Sequence, residues 1–133
     1  MSLANAQTRQ QGVTLVEILM VVVILGVLLS VAVASYTQYK QRGNDQYGLT
    51  KIDEVLKQQQ VHYLEFRRYS DSFIALGYQS ETVLSDNDYF ALSLAQCPLK
   101  QLSQCVLVTA TPLTTKSTGQ TFSVNTFGEK TSI

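Results

Sequence analysis

The stretch that decides the fold is residues 12–34. It opens with Gly12-Val13-Thr14-Leu15-Val16-Glu17 and continues with an apolar run, residues 18–34, that contains no charged side chain. That run is slightly shorter than the roughly 20 residues that cross a bilayer. Counted from Val13 it is about 33 Å long as a helix, which is enough, but the longer segment then includes Glu17. An acidic side chain at membrane depth costs about 3 kcal/mol unless a partner stabilises it.

The composition of the chain separates this apolar run from the rest. Ten basic and ten acidic residues give a net charge of zero, and only 15% of the residues are charged. About a quarter is usual for a soluble domain. Because the deficit is concentrated in residues 18–34, the remainder has an ordinary water-soluble composition. The sequence therefore predicts one soluble domain attached to an apolar helix, and it argues against a purely cytosolic globular protein.

Three interpretations of the N-terminal segment compete. A secretory signal peptide is cleaved after small residues, and Val31-Ala32-Val33-Ala34-Ser35 has that composition. A simple signal anchor would remain in the membrane uncleaved. Both leave Glu17 unexplained, and both usually carry more basic charge before the run than Arg9 provides.

The third interpretation accounts for Glu17. A glycine, an acid five residues later and an uncharged helix directly afterwards resemble the class III signal of type IV pilins. The resemblance implies that residues 1–12 are a leader, that prepilin peptidase cuts between Gly12 and Val13, and that Val13 becomes N-methylated. It also implies that Glu17 acts in assembly and that Gly26 makes the helix flexible.

Other positions near this signal are compared with the same family. Tyr36 and Tyr39 are similar to the family's Tyr-x-x-Tyr pattern. Two positions depart from it: Val13 replaces the more common first phenylalanine, and Ala34 stands where the family often has a proline. Without that proline the helix lacks a built-in kink at this point.

A physical hypothesis follows for the pair of groups that cleavage would create. The α-amine of Val13 is largely cationic near pH 7. A buried carboxylate becomes tolerable when a cation approaches it. If subunits stack with a helical offset, the amine of one subunit reaches Glu17 of its neighbour, and the pair favours assembly in one register.

Beyond residues 13–35, the hydrophobic transmembrane helix, residues 36–133 are expected to form a globular domain. A helix continues to about Tyr69, with an apolar stripe whose members are three or four residues apart. The stripe consists of Ile52, Val55, Leu56, Gln59, Tyr63 and Phe66. Three strands are predicted at 88–95, 105–111 and 121–127, with a loop over residues 70–88. The expected fold class is α+β, with the long helix packed on a small antiparallel sheet of three to four strands.

This second half is similar to minor type IV pilins of the PilE kind. The similarity rests on Phe66-Arg67-Arg68-Tyr69 at the helix exit, Tyr89-Phe90-Ala91-Leu92, Val106 to Pro112, and Phe122-Ser123-Val124-Asn125 before Gly128. It is a looser pattern than the N-terminal signal.

The two cysteines, Cys97 and Cys105, have seven residues between them. The cleavage site that the resemblance implies leaves them outside the inner membrane, in an oxidising space, where two cysteines usually form a disulfide. The bridge would join two strands and close a loop that exposes Lys100 at the surface. A zinc site would need two more ligands, so no metal and no cofactor are expected.

The sequence does not contain a set of residues typical of catalysis. It has one histidine, no glycine-rich phosphate loop and no nucleophile with a base and an orienting partner, so we do not expect an enzyme. A patch of Arg67, Arg68 and Lys100 is the best candidate for binding DNA or another ligand. Removing residues 1–12 takes away Arg9 and leaves a net charge of −1, which weakens the DNA interpretation.

The predicted function is therefore a structural subunit of a bacterial type IV pilus, with a minor pilin favoured, serving adhesion, twitching or DNA uptake. A pseudopilin of the type II secretion system and a DNA-binding competence pilin are the alternatives. The expected location is a single-pass inner-membrane protein with a periplasmic domain, which later enters an extracellular pilus. The expected partners are other pilin subunits, prepilin peptidase, the inner-membrane assembly platform and membrane lipid, with DNA a weaker candidate.

Overall fold

The computed structural model describes residues 12–133. Its elements are α1 (Leu15–Phe66), a short 3-10 helix (Ile74–Leu76), β1 (Val83–Leu84), β2 (Phe90–Gln96), β3 (Val106–Pro112), β4 (Phe122–Asn125) and β5 (Lys130–Ser132). The strands form one antiparallel sheet in the order β1-β2-β3-β4-β5. The chain falls into two compact units, one that ends at Tyr36 and one from Thr37 to Ile133. The predicted α+β fold, a long helix packed on a small antiparallel sheet, is confirmed.

The core of the second unit lies between α1 and one face of the sheet. Ile52, Val55 and Gln59 of the predicted stripe are fully buried on the helix. On the sheet side the buried partners are Phe90, Leu92, Val108, Ala110 and Val124. The prediction for Phe66 is wrong, because Phe66 is exposed at the last helical residue and lies against His62, with ring centroids 4.6 Å apart. The last buried residue of the stripe is therefore Gln59, about two turns before the helix ends.

Gly48 is the point of closest approach between α1 and the sheet. A Cβ atom at this position would lie 3.0 Å from two ring carbons of Phe90, which is itself fully buried. A Cβ at Gly43, in the same helix, would meet nothing within 4 Å. The absence of a side chain at position 48 thus lets β2 pack directly against the helix backbone.

The three predicted strands exist, with ends that shift by one or two residues. β2 and β3 pair over their whole length, from Phe90 opposite Pro112 to Gln96 opposite Val106. Buried and half-buried residues alternate along the first five residues of β3, as the period of two requires for a strand with one face on the core. Short connections between neighbouring strands give the predicted antiparallel meander.

The sheet has five strands rather than the predicted three or four. The segment predicted as a loop over residues 70–88 contains β1 and also places Phe73 in the core, only 2% exposed. β5 is polar and fully exposed, so it has no alternating apolar pattern. It forms because a turn with Gly128 at φ 82° folds the chain back onto β4. The pairing of the backbone, not side-chain burial, defines β5.

Two buried polar side chains on α1 fix the loops that cross it. The amide of Gln59 donates to the Ser70 carbonyl at 2.6 Å and accepts from the Ser70 N–H at 2.8 Å. The carboxylate of Asp45 accepts from the Thr118 N–H at 3.1 Å and from its hydroxyl at 2.6 Å. Because buried backbone groups need partners, these contacts determine where each loop can lie.

A third polar contact organises the segment after the helix. The Ser72 hydroxyl and the Phe73 N–H both donate to the Glu81 carboxylate. These hydrogen bonds, that of Ser72 first, lower the pKa of Glu81 below its usual value because they stabilise the charged form.

Candidate functional site

The start of α1 places Glu17 in the first turn of the helix. The Thr14 carbonyl accepts from the Ile18 N–H at 3.2 Å, and the Thr14 hydroxyl accepts from the Glu17 N–H, also at 3.2 Å. With the helix beginning at Leu15, Thr14 is the N-cap and Glu17 is the third helical residue. Thr-x-x-Glu is the capping-box pattern, and such a cap contributes about 1 kcal/mol to helix stability.

This cap is a feature that the sequence reasoning missed, although Thr14-Leu15-Val16-Glu17 carries its signal. Glu17 also lies near the positive end of the helix dipole, which favours an acidic side chain in the first turn. The residue is exposed in the subunit, so its carboxylate is accessible to a neighbouring group. Position 17 therefore has a local role in starting the helix, and its role in assembly stays a prediction.

The apolar segment after Glu17 is exposed along its length. Every residue from Gly12 to Lys40 is exposed, and the side chains between Ile18 and Val33 are almost all apolar. Burying one such side chain is worth about 1.5–3 kcal/mol, so a surface of this size is unstable in water without a partner. By length and composition, α1 is able to cross a membrane.

Gly26 interrupts neither the helix nor its surface. A Cβ atom there would meet nothing within 4 Å, so no contact within the described chain requires a glycine. One turn later the Ser30 hydroxyl donates to the Val27 carbonyl at 2.7 Å, a contact that often bends helices slightly. Flexibility at Gly26 stays a prediction.

The structure contains the disulfide between Cys97 and Cys105, with their Cα atoms 5.5 Å apart. Both cysteines are buried, and the bridge closes the connection between β2 and β3. Within this loop the Lys100 N–H donates to the Cys97 carbonyl at 3.2 Å, and the Gln96 side chain donates to the Lys100 carbonyl. The bridge therefore holds a compact loop at one end of the sheet.

Arg67 and Arg68 end the helix. Arg67 adopts a positive φ of 56°, and its N–H donates to the Tyr63 carbonyl at 2.8 Å, which stops the helix. The Arg68 carbonyl lies 2.9 Å from Nδ1 of His62. Both arginine side chains are exposed.

The disulfide loop lies beside this helix exit. The Tyr69 N–H donates to the Leu102 carbonyl at 2.9 Å, so the two segments touch through their backbones. The ammonium group of Lys100 lies over the ring of Phe127, 4.0 Å from its centroid. Another basic residue, Lys116, follows the last residue of β3, whereas the disulfide loop with Lys100 precedes the first. Lys116 therefore lies apart from Arg67, Arg68 and Lys100. DNA binding by Arg67, Arg68 and Lys100 stays a prediction.

The N-terminal segment matches a known family model. The prokaryotic N-terminal methylation motif matches residues 7–33, of which 7–11 lie outside the described residues. The type IV major pilin protein PilA of Myxococcus xanthus is 27% identical over 81 residues, which are 61% of this chain and 37% of the relative. The type II secretion system core protein G of Dickeya chrysanthemi is 35% identical over 71 residues, which are 53% of this chain and 46% of the relative.

The chain carries the N-terminal methylation motif and is similar to a type IV pilin and to a type II secretion core protein. Each match spans less than half the length of the relative, and one relative is named as a pilin and the other as a secretion-system protein. The methylation motif and the apolar N-terminal part of α1, the one helix within residues 12–133 that is long and apolar enough to cross a membrane, fit anchoring in the inner membrane. The expected leader, residues 1–12, lies outside the described residues except for Gly12.

Residues that could ligate a metal are scattered over the described part of the chain. Among residues 12–133, no group of three or more His, Cys, Asp or Glu side chains is placed to hold a metal ion. The acid nearest the C-terminus, Glu129, accepts a hydrogen bond from the Asn125 side-chain amide.

Proposed function

We propose that this chain is a structural subunit of a bacterial type IV pilus, and specifically a minor pilin, with no catalytic role. The observation that carries the proposal is the start of α1. Glu17 is an exposed acid in the first turn of a capped helix, and it is followed by an apolar segment that is exposed along its length. In this proposal the apolar part of α1 spans the inner membrane first. It then packs against the same part of other subunits in the filament.

The proposed assembly step depends on two charges. Cleavage between Gly12 and Val13 by prepilin peptidase exposes the α-amine, which is then methylated and keeps its positive charge near pH 7. The Thr14 cap holds the first turn in helical form, so Glu17 has a fixed position at the start of the helix. Because an unpaired carboxylate is costly in an apolar environment, the amine of a neighbouring subunit is its natural partner. The inner-membrane assembly platform would bring the two subunits together.

Three variants separate the assembly role of Glu17 from its capping role. Glu17→Gln keeps a side chain that suits the third position of a capping box but removes the charge. Thr14→Ala removes the observed cap but keeps the carboxylate. Glu17→Ala removes both the charge and the polar side chain. The amounts of each variant in sheared surface filaments and in membranes are compared by immunoblotting, with leader removal followed on the same gels.

The proposal predicts that Glu17→Gln and Glu17→Ala are cleaved and remain in membranes but are lost from filaments. Thr14→Ala should enter filaments at a reduced level, since it loses only about 1 kcal/mol of helix stability. Normal entry of Glu17→Gln into filaments, together with loss of Thr14→Ala, would mean that position 17 serves only the helix start.

A pseudopilin of a type II secretion system is the second candidate. It is supported by the 35% identity to the secretion-system core protein G. Deleting the gene distinguishes the two: loss of surface filaments with normal secretion of exoproteins supports the pilin, and the reverse supports the pseudopilin. A small amount of the protein relative to the main subunit of purified filaments would support the minor role.

A further inference from the structure

A cleft of about 290 Å³ opens in the second unit, between the first turns of α1 within that unit and the loop after β3. Its lining includes Lys40, Gln41, Asn44, Tyr89, Thr115 and Lys116. This volume is just below the range of small-molecule sites, so it suits a small group.

The walls of the cleft are tied together by hydrogen bonds from the helix to the loop. The Asn44 side-chain amide donates to the Lys116 carbonyl at 2.8 Å, and that of Gln41 donates to the Thr115 carbonyl at 3.4 Å. The ammonium group of Lys116 lies 5.3 Å from the ring centroid of Tyr89. These contacts give the cleft a defined shape and use two of the loop carbonyls that would otherwise repel an anion.

The cleft is positively charged. Lys40 and Lys116 are both exposed, and within residues 12–133 neither forms an ion pair. No acidic side chain lines the cleft. The acid closest in sequence to Lys40 on the same helix, Asp45, is buried and occupied by Thr118. Two cations without counter-charges in a concave surface concentrate anions there.

The position of Lys40 in the sequence indicates which anion it meets. Lys40 is the first charged residue after Glu17, so it marks the end of the apolar part of the chain. Two exposed tyrosines, Tyr36 and Tyr39, come just before it. Tyrosines followed by basic residues are typical of the boundary between a membrane and water, where basic side chains attract anionic lipids.

We propose that the cleft between Lys40 and Lys116 binds the phosphodiester headgroup of an anionic phospholipid, such as phosphatidylglycerol. This inference rests on the membrane-inserted stage of the proposed function. The two ammonium groups bind the phosphate oxygens, and the hydrogen bonds from Gln41 and Asn44 to the loop hold Lys116 in the wall of the cleft. The bound lipid holds the subunit at the membrane surface, and it is released when the subunit leaves for a filament.

The test uses the full chain in nanodiscs that contain equal amounts of phosphatidylglycerol and phosphatidylcholine. Lipids that stay bound after transfer to mild detergent are identified and counted by native mass spectrometry. Lys40→Gln/Lys116→Gln is compared with Lys57→Gln/Lys130→Gln, which removes two exposed lysines outside the cleft. Near-UV circular dichroism of both double variants checks that the domain is folded, and Lys40→Arg/Lys116→Arg tests rescue by the same charge.

We expect the wild type, the control and the arginine variant to retain phosphatidylglycerol in preference to phosphatidylcholine. Removing both cleft lysines should weaken retention about 25-fold, from about 5-fold per lysine near an anionic surface. Equal retention by the two glutamine double variants would overturn the proposal, as would equal retention of the two lipids by the wild type.

A competition arm identifies the source of the phosphate. Short-chain phosphatidylglycerol should displace the bound lipid at much lower concentration than inorganic phosphate. Equal potency of inorganic phosphate would show a site for small anions and contradict the lipid assignment. Failure of the chain to enter nanodiscs would contradict the membrane stage of the proposed function itself, which distinguishes that failure from failure of the cleft.

Discussion

Replacing Gly48 by alanine tests how closely α1 and the sheet are packed. In an exposed helix interior, Gly→Ala stabilises by about 1 kcal/mol because alanine is the better helix former. At Gly48 the new Cβ would lie 3.0 Å from the ring of Phe90, too close for ordinary contact. Phe90 is fully buried and packs near Phe122, with ring centroids 5.9 Å apart, so it has little room to move away.

Gly43→Ala is the matched control, because the same change is made in the same helix where nothing lies within 4 Å. The gain in helix propensity is common to both variants and cancels in their difference. That difference then equals the cost of overpacking, about 1–3 kcal/mol. We expect Gly43→Ala to raise the free energy of unfolding by about 1 kcal/mol and Gly48→Ala to leave it unchanged or lower it by up to about 2 kcal/mol.

The measurement is urea unfolding of the full chain in detergent, followed by near-UV circular dichroism of the tyrosines, since the sequence contains no tryptophan. The urea concentrations at the unfolding midpoint are compared for the two variants and the wild type. They report stability when the slope of the unfolding free energy against urea concentration is the same for all three proteins. If Gly48→Ala stabilises as much as Gly43→Ala, then Phe90 yields without cost, and the close packing described for β2 and α1 is refuted.

Three further predictions concern the second unit and use the same unfolding measurement. Gln59→Ala leaves the N–H and carbonyl of buried Ser70 without partners and should cost about 2–4 kcal/mol, whereas Gln60→Ala, at an exposed position next to it, should change stability by less than about 0.5 kcal/mol. The pKa of Glu81 is lower in the folded chain than its unfolded value of about 4.5, so its ionised carboxylate stabilises the fold above that pH. This stabilisation is lost as the pH falls through the folded pKa, so Glu81→Gln should make the free energy of unfolding depend less on acid pH. An unchanged acid profile would contradict this. Replacing both Cys97 and Cys105 by alanine should cost about 2–3 kcal/mol by the loop-closure estimate, and an unchanged midpoint would show that the bridge constrains little.

Much of the fold was predictable because its elements have strong local patterns. The uncharged run and the stripe of Ile52, Val55 and Gln59 predict one long helix, and the alternation in Phe90-Ala91-Leu92 predicts a strand with one buried face. Antiparallel order followed from the short connections. These signals lie within a few residues of one another, so sequence alone contains them.

The missed features depend on contacts between distant residues. β5 is held by backbone pairing with β4 and has no apolar pattern. Phe73 enters the core from a segment whose composition is otherwise polar. The role of Gly48 as a contact point becomes visible only when Phe90 is placed opposite it.

The candidate site also has features that the sequence predicts and features that it does not. Glu17 was found because an acid at membrane depth is costly, whereas the Thr14 cap was missed although its signal is local. The cleft between Lys40 and Lys116 could not be found from sequence, because the two lysines are brought together only by the loop after β3.

The central claim is that the N-terminus is processed and that the processed chain enters a filament. The most direct test is the intact mass of the protein from sheared surface filaments and, separately, from membranes. The account predicts a filament-derived species that lacks residues 1–12, is heavier by one methyl group and is lighter by the two hydrogens lost in the Cys97–Cys105 bridge. An uncleaved chain found only in membranes would contradict it.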